Sequence, residues 1–222
     1  LRSMRGYSSA VEGLLNYRFS KRIKEQKTKL HIVINYFENQ VVDKGWNAGF
    51  NKFYPDIPTI GCRGYIPSLQ YLCSFPSLIE YSSGILPATI SVIGKGFIDS
   101  TREFATILNV ENSPAFRFQH LWNESTAKPD SNYFTILVAL SIISEESFNI
   151  LKLVKECLEG VGSHNLRFWV KPHPIMSKET LKKGLGNRWP EEFIIIEGSS
   201  SDYIPKSDII ISGMSSICFE AI

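Results

Sequence analysis

The chain has 222 residues, of which 43 % are hydrophobic and 21 % are charged. These values are typical of a globular protein that folds in water, and the net charge of +2 is too small to favour nucleic acid as a partner. No apolar run approaches the roughly 20 residues of a membrane span, and residues 1–5 lack the apolar core of a signal peptide. The composition therefore predicts a cytoplasmic protein, with membrane contact limited to loose, peripheral association through partners.

The cysteines and histidines give no sign of a metal site or a disulfide framework. The four cysteines show no C-x-x-C spacing, and the four histidines are far apart in the sequence. Cys157 and Cys218 lie in apolar helical patterns, which predicts two buried thiols. We therefore expect no metal and no resident cofactor.

The first half of the chain predicts alternating helices and strands. In chain order these are a basic helix over 1–27, a strand over 30–34, a helix over 40–53, a strand over 59–62, a loop with short helical turns over 63–88, a strand over 89–93 and a helix over 100–108.

The second half alternates more regularly, after a polar segment over 123–132 that predicts a linker. Its predicted elements are a strand over 134–140, a helix capped by Ser144 and ended by Gly160 and Gly162, a strand over 166–170, a helix over 177–185, strands over 193–196 and 208–211, and a helix from Ser215. Apolar strands alternating with helices indicate an α/β fold with a parallel sheet. We expect domains over 1–125 and 126–222, incomplete at both ends, because the last predicted helix is cut by the end of the sequence.

A basic and an imidazole side chain follow the strand over 166–170. In Lys171-Pro172-His173-Pro174, each proline disfavours the helical conformation for the residue before it. Ligands bind at the carboxyl ends of the strands in open α/β sheets, and these two side chains suit a phosphate. The alternative is a loop histidine with no ligand.

A second anion site is predicted at Ser212-Gly213-Met214-Ser215-Ser216, between a buried strand and a helix start. Glu220 lies one turn beyond Ser216, where its carboxylate could accept hydrogen bonds from ribose hydroxyls. The alternative is helix capping by Ser215 or Ser216, with Glu220 solvated. We expect His173, Ser199, Ser215 and Ser216 to gather at one edge of the sheet.

Three further polar clusters follow predicted strands. Ser199 and Ser200 are read either as a polar loop at the cleft or as the cap of a short turn. Gly94-Lys95-Gly96 either lets a ligand approach the backbone or makes a simple strand-to-helix turn. Glu38, followed by Asn39 and Gln40, is either a general base for a hydroxyl acceptor or part of a capping cluster for the helix over 40–53.

The His-Pro motif with a downstream Ser-Ser motif resembles bacterial sialyltransferases, polysialyltransferases and capsule-polymer transferases of the two-Rossmann-domain (GT-B) type. Glu220-Ala221 is similar to the Glu-Ala element at which many GT-B enzymes hold ribose. The first half resembles bacterial surface carbohydrate biosynthesis proteins at Tyr36-Phe37-Glu38-Asn39-Gln40 with Lys44, Gly64-Tyr65-Ile66-Pro67, Phe75-Pro76-Ser77, Leu86-Pro87 and Gly94-Lys95. The chain departs from these families at Cys62-Arg63-Gly64 and lacks the acidic Asp/Glu-Asp/Glu-Gly motif of the sialyltransferases.

The resemblance implies two Rossmann-like domains and a metal-independent glycosyltransferase. It would move a sugar from a nucleotide-activated donor, a CMP-linked sugar among the candidates, to a capsule, lipopolysaccharide or glycolipid acceptor. The implied catalytic residues are His173 and Glu38; the implied donor-side residues are Lys171, Ser199, Ser200, Ser215, Ser216 and Glu220; and the implied acceptor-side residues are Asn39, Gln40, Lys44, Gly94 and Lys95. The alternatives are a non-catalytic subunit that binds a nucleotide or sugar phosphate, and a GT-B-fold sugar epimerase, which would need acid/base carboxylates that the sequence does not reveal.

Overall fold

The computed structural model describes residues 4–67, 71–122, 129–130, 132–161, 165–186, 189–213 and 215–221. The chain divides into two compact units, residues 1–117 and 118–222. Much of the predicted linker, together with Gly162 and Met214, lies outside the described residues, so the domain boundary at 125/126 stays a prediction. Among the described residues, no helix is long and apolar enough to cross a membrane.

The first unit contains a parallel four-stranded sheet. Its elements are α1 (Met4–Glu25), β1 (Val33–Tyr36), α2 (Val41–Phe53), β2 (Thr59–Arg63), α3 (Leu78–Ser82), β3 (Thr89–Val92), α4 (Ile98–Thr101) and β4 (Val110–Asn112), with 3₁₀ turns at Leu72–Ser74 and Lys95–Phe97. A further 3₁₀ turn, Phe116–Trp122, begins in this unit and continues into the second. The strands lie in the order β1-β2-β3-β4. The buried side chains of Phe37, Ile90, Val92 and Leu108 form its main core.

Helices α1 and α2 approach each other closely because small residues line the contact. A Cβ on Gly45 would lie 2.7 Å from the Cα of Gly13 and would overlap the Gly13 carbonyl. A Cβ on Gly49 would lie 3.1 Å from the Cβ of Ser20, which is fully buried. Only glycine allows this separation of the helix backbones.

The second unit also contains a parallel four-stranded sheet. Its elements are β5 (Phe134–Ala139), α5 (Ser144–Val161), β6 (Leu166–Lys171), α6 (Lys178–Gly184), β7 (Phe193–Ile195), β8 (Ile209–Ser212) and α7 (Ile217–Glu220), with 3₁₀ turns at Ser200–Asp202 and Ile204–Lys206. The strand order is β7-β6-β5-β8. The chain thus builds the sheet outward from β5 on one side and then returns to add β8 on the other, which creates a topological switch point between β5 and β8.

The α/β class and the parallel sheets are confirmed, and most predicted elements lie within a few residues of their observed positions. The main errors fall in the first unit. The helix predicted over 100–108 ends at Thr101, because the Arg102 guanidinium donates to the carbonyls of Leu108 and Val110 and holds the following segment in a non-helical path. Strand β4 was missed because only Val110 of its three residues is buried, which leaves no apolar run.

Two expectations about side chains in the second unit are wrong. The buried hydrophobic residues of α5 are Leu151, Val154 and Leu158, but Cys157 lies beside this stripe and is exposed. Cys218 is also exposed, and its Sγ donates to the Ser215 carbonyl. Ser144 is the first helical residue rather than the cap.

Candidate functional site

The switch point of the second unit brings two of the predicted motifs to the same edge of the sheet. Ala139, the last residue of β5, pairs with Lys171 on one side and with Ser212 on the other. Strands β6 and β8 are therefore two strand spacings apart, about 10 Å. The Lys171–His173 motif and the turn after Ser212 flank the carboxyl end of β5, where ligands bind in sheets of this topology.

His173 is half-buried at the rim of a hollow of about 380 Å³. Other residues around the hollow include Lys171, Lys178, Glu197 and Gly198. The Ile175 backbone N–H donates to Nδ1 of His173 at 3.4 Å. A neutral imidazole that accepts at Nδ1 carries its proton on Nε2, which can donate to a ligand oxygen.

The charges in this hollow are mixed. The Lys171 ammonium lies 3.4 Å from the Pro172 carbonyl, and Glu197 is paired with Lys178 at 2.5 Å. The ion pair with Lys178 holds the pKa of Glu197 below its usual value, with a smaller effect from Lys171. Since Lys178 is neutralised by Glu197, Lys171 and His173 are the groups left to bind an anion on this side of β5.

The turn after β8 packs against a carboxylate that was not among the predicted site residues. Gly213 lies against the side chain of Glu146, which projects from the first turn of α5: a Cβ on Gly213 would be 2.6 Å from the carboxyl carbon. Glycine is therefore required here for the close approach of Glu146. The switch point consequently contains an acidic group as well as the basic groups that the sequence indicated.

The predicted anion site at the start of α7 differs from what the structure shows. The helix begins at Ile217 and has only four residues, too few for a helix dipole to attract an anion. Ser215 accepts from the Ile217 N–H at 3.4 Å, as the capping alternative predicts, whereas Ser216 makes no side-chain cap. The hydroxyls of Ser215 and Ser216, rather than a helix dipole, are therefore the ligand-binding groups that this turn offers beside its backbone N–H groups.

Glu220 is not solvated, although the capping alternative for this segment predicted that it would be. Its side chain is 13 % exposed and pairs with Nε2 of His120 at 3.3 Å. A ribose that hydrogen-bonds to this carboxylate would share it with His120 or displace the imidazole.

Ser199 and Ser200 follow β7, one strand beyond β6. Ser199 occupies the cap position of the Ser200–Asp202 turn but makes no capping hydrogen bond, and its hydroxyl bonds instead to Ser201 at 2.6 Å. The capping alternative is thus only half right: the short turn is present, but the serine side chain does not hold it.

In the first unit, Glu38 follows β1 as expected, but the capping group of α2 is Asp43. One carboxylate oxygen of Asp43 accepts from the backbone N–H groups of both Glu38 and Gln40 at 3.0 Å. The Glu38 carboxylate accepts only from the Gln40 side chain, at 2.7 Å. Gln40 and Asp43 form the capping box of α2, so the capping alternative holds for Gln40, and Glu38 reaches this cluster through the Gln40 side chain. The role of Glu38 as a base stays a prediction.

Asn39 and Lys44 belong to a hydrogen-bond network that closes the loop after β1. The backbone of Asn39 is left-handed, with φ 62°, and its amide donates to the Cys73 carbonyl at 2.9 Å while its oxygen accepts from Lys44. Lys44 also pairs with Glu80 at 2.6 Å, and Glu80 caps α3 through Ser77. These contacts account for the positions of both side chains, without a role in binding an acceptor substrate.

The pKa directions in this network show how burial and pairing compete. Burial lowers the pKa of Lys44, and the Glu80 carboxylate restores only part of the loss. For Glu80 itself burial raises the pKa, but the hydrogen bonds from Lys44, the Ser77 backbone and Asn39 outweigh it, so the pKa of Glu80 is lowered. The lowered pKa keeps Glu80 charged at neutral pH, and its ion pair with Lys44 ties α2 to α3.

Gly94 and Lys95 make a strand-to-helix turn. Gly94 is extended, at φ 175°, and a Cβ on it would meet only the Phe97 ring at 3.5 Å, so neither backbone strain nor close approach requires glycine there. Lys95 is exposed at the start of the 3₁₀ turn. A simple strand-to-helix turn therefore fits the geometry better than a site where a ligand approaches the backbone.

A buried arginine and two tyrosines at the ends of β1 and β2 were not among the predicted site residues. Arg63 is 1 % exposed and donates to the Ser74 carbonyl and to Thr101 Oγ1. Its guanidinium lies 5.9 Å from the ring centre of Phe37 and 6.0 Å from that of Tyr65. Burial raises the pKa of Tyr65 and of Tyr36, and for Tyr36 the charge of Glu38 adds to the rise.

Comparison with known proteins gives a fold but no family. No family model matches the chain, and no curated protein matches it. Among solved structures the chain is similar to MnaA of S. aureus in a co-structure with UDP, with a TM-score of 0.62 and 15 % sequence identity. The match covers 96 % of this chain and 58 % of that chain, so the present sequence spans little more than half of the MnaA chain.

This likeness supports the α/β architecture with two parallel, Rossmann-like sheets. At 15 % identity it shows the fold alone. The fold explains why Glu146 was missed: its position beside Gly213 depends on β5 and β8 being neighbours, although the two residues are far apart in sequence.

Proposed function

We propose that the chain binds a nucleotide-activated sugar at the switch point of its second unit and that the enzyme acts on the sugar. The observation that carries this proposal is the pairing of Ala139 with both Lys171 and Ser212, which sets two polar motifs on either side of one strand end. The structural likeness to MnaA, which was solved with UDP, supports the same ligand class.

In this proposal the phosphates lie between Lys171, His173 and the hydroxyls of Ser215 and Ser216. Lys171 contributes a cation and His173 contributes the Nε2–H donor, since its Nδ1 already accepts from Ile175. Glu220 binds the ribose in place of its present partner, His120. Each of these contacts uses a side chain and none depends on a helix dipole.

We place a sugar epimerase ahead of a glycosyltransferase. Where an epimerase inverts the carbon next to the anomeric carbon, a base such as a carboxylate removes the proton and the C–H electron pair expels the nucleoside diphosphate. Return of the nucleotide and of a proton on the opposite face then restores both bonds. Glu146 provides a carboxylate at the switch point, where sequence reasoning found none. The likeness to MnaA, which was solved with UDP, makes a uridine nucleotide the first ligand to test.

The glycosyltransferase hypothesis rests on Glu38 acting as base toward a glycan or glycolipid acceptor. The observation in its favour is that, within the described part of the chain, the Glu38 carboxylate accepts no backbone N–H of α2 and hydrogen-bonds to the Gln40 side chain. If Glu38 is the base, Glu38→Gln should lower transfer by about 10²–10⁴-fold with no change in nucleotide affinity.

Calorimetry against UDP, CMP, GDP and CDP tests the binding proposal. We expect UDP to bind, and Lys171→Met to weaken it by at least about tenfold, the loss of one charge-assisted hydrogen bond. Lys206→Met is the matched control, because Lys206 is an exposed lysine at the amino end of β8, on the opposite edge of the sheet. Equal losses in both variants, or no binding of any nucleotide, would overturn the proposal.

Incubating the chain with UDP-sugars in D₂O separates the proposed reactions. An epimerase that exchanges a carbon-bound proton incorporates deuterium into the sugar without an acceptor, whereas a transferase does not. Glu146→Gln should abolish the incorporation and leave UDP affinity within about threefold. UDP binding with neither incorporation nor transfer would support the non-catalytic alternative.

A further inference from the structure

Helix α1 presents an apolar stripe that the core of the first unit does not use. Tyr7, Val11, Leu14 and Leu15 are 70 %, 53 %, 65 % and 60 % exposed. Their spacing of i, i+4, i+7 and i+8 places them on one helix face. The opposite face packs on α2 through small residues such as Gly13, so the stripe is not required for the α1–α2 contact.

A strongly basic segment continues from this stripe. Residues 18–29 contain six basic residues and one acidic residue, whereas the whole chain has a net charge of only +2. All six basic side chains are exposed: Arg18, Lys21, Arg22, Lys24, Lys27 and Lys29. The single acid, Glu25, pairs with Lys21 at 3.6 Å, so the segment is a concentrated positive surface on a chain that is otherwise slightly acidic.

The end of the basic segment borders a hollow of about 510 Å³. Lys24, Lys27, Lys29 and His31 all line it, together with a single acidic residue, Asp56. Its wall is fixed by Tyr54, whose hydroxyl donates to the Thr28 carbonyl at 3.2 Å and whose ring lies 4.8 Å from the Lys24 ammonium. Converging cations in a formed hollow suit a phosphate group.

We propose that α1 and the basic segment after it dock on an anionic membrane surface. The apolar stripe would enter the boundary between headgroups and acyl chains, and the cations that follow it along the chain would bind lipid phosphates, since anionic membrane surfaces attract basic segments. A lipid surface accounts for both features at once. Nucleic acid would leave the leucines unused, and a symmetric pairing of two copies would bring two basic segments together.

Co-sedimentation of the whole chain with vesicles tests the proposal. We expect binding to phosphatidylcholine vesicles that contain phosphatidylglycerol, weaker binding to phosphatidylcholine alone, and a steep loss at about 1 M salt, where the screening length is about 3 Å. Equal binding to both vesicle types, or no binding to either, would overturn it.

Two double variants separate the contributions, each with a control in the second unit. Arg22→Gln with Lys29→Gln should weaken binding by about 30-fold, since each cation near an anionic surface is worth about fivefold. Its control is Lys182→Gln with Lys183→Gln, which removes two exposed lysines from the end of α6.

Leu14→Ser with Leu15→Ser should weaken binding by about tenfold or more through lost apolar burial. Its control is Leu153→Ser, at a leucine that is 61 % exposed on α5. Circular dichroism confirms that each variant is folded, and light scattering gives its mass. If the leucine variant changes the oligomeric mass and leaves vesicle binding intact, the stripe is a contact between copies and the proposal is wrong.

Discussion

The contact between α1 and α2 makes a sharp prediction about two chemically identical substitutions. Gly45→Ala in α2 and Gly160→Ala in α5 both replace a helical glycine by the best helix former, which by itself stabilises a helix by about 0.5–1 kcal/mol. Gly160 is exposed and a Cβ there meets no atom within 4 Å. We therefore expect Gly160→Ala to raise the free energy of unfolding by about 0.5 kcal/mol, since it lies near the end of its helix.

The same change at Gly45 places the new Cβ against the backbone of Gly13 in α1 rather than in open space. A Cβ there would lie 2.7 Å from the Cα of Gly13, whereas carbon atoms pack at about 3.5–4.0 Å. The helices must separate by about 1 Å, which also loosens the buried contact of Ser20 with Gly49 and the stacking of Phe19 on Trp46, now 5.7 Å between ring centres. Overpacking of this kind costs about 1–3 kcal/mol, so we expect a net loss of about 1–2 kcal/mol.

Urea denaturation followed by circular dichroism measures both variants. Hydrogen exchange then assigns each change to its unit, because Gly45→Ala should lower protection in residues 4–25 and leave residues 144–161 unchanged. The reasoning is refuted if Gly45→Ala is as stable as the original chain, since the helices would then not be in backbone contact at this point.

Three further predictions concern the polar interior of the first unit. Arg63→Ala should lower the free energy of unfolding by about 3 kcal/mol or more in thermal melts, because it leaves a cavity and an unpaired Ser74 carbonyl; Arg63→Met, which fills the space, should cost clearly less. Glu80→Gln should cost about 1–2 kcal/mol at pH 7. Because the pKa of Glu80 is lowered on folding, its contribution is present above the unfolded pKa and is lost as pH falls through the folded pKa, so the two unfolding curves should converge below about pH 4. Asp43→Ala should cost about 1 kcal/mol in urea titrations, whereas Glu38→Gln should cost less than about 0.5 kcal/mol, because Asp43 accepts from two backbone N–H groups at the start of α2 and, among the described residues, the Glu38 carboxylate accepts from none.

The sequence by itself determined the α/β class and most of the elements. Apolar runs such as 166–170 and 193–196 are recognisable as buried strands because both faces of a parallel sheet are covered. The Pro-His-Pro segment similarly identified a polar strand end, since the effect of proline on its neighbour is local. Strand β4 escaped prediction because three residues with one buried side chain carry too little pattern.

Only the tertiary structure decided which polar groups meet. The order β7-β6-β5-β8 places Ser212 beside Ala139 and Glu146 against Gly213, and it depends on how strands distant in sequence pair. The same holds for Lys44, which the resemblance places on the acceptor side but which pairs with Glu80, 36 positions further along. Local sequence patterns fix a residue's own backbone and burial, whereas charge pairing and close approach depend on contacts between distant segments, which no single segment encodes.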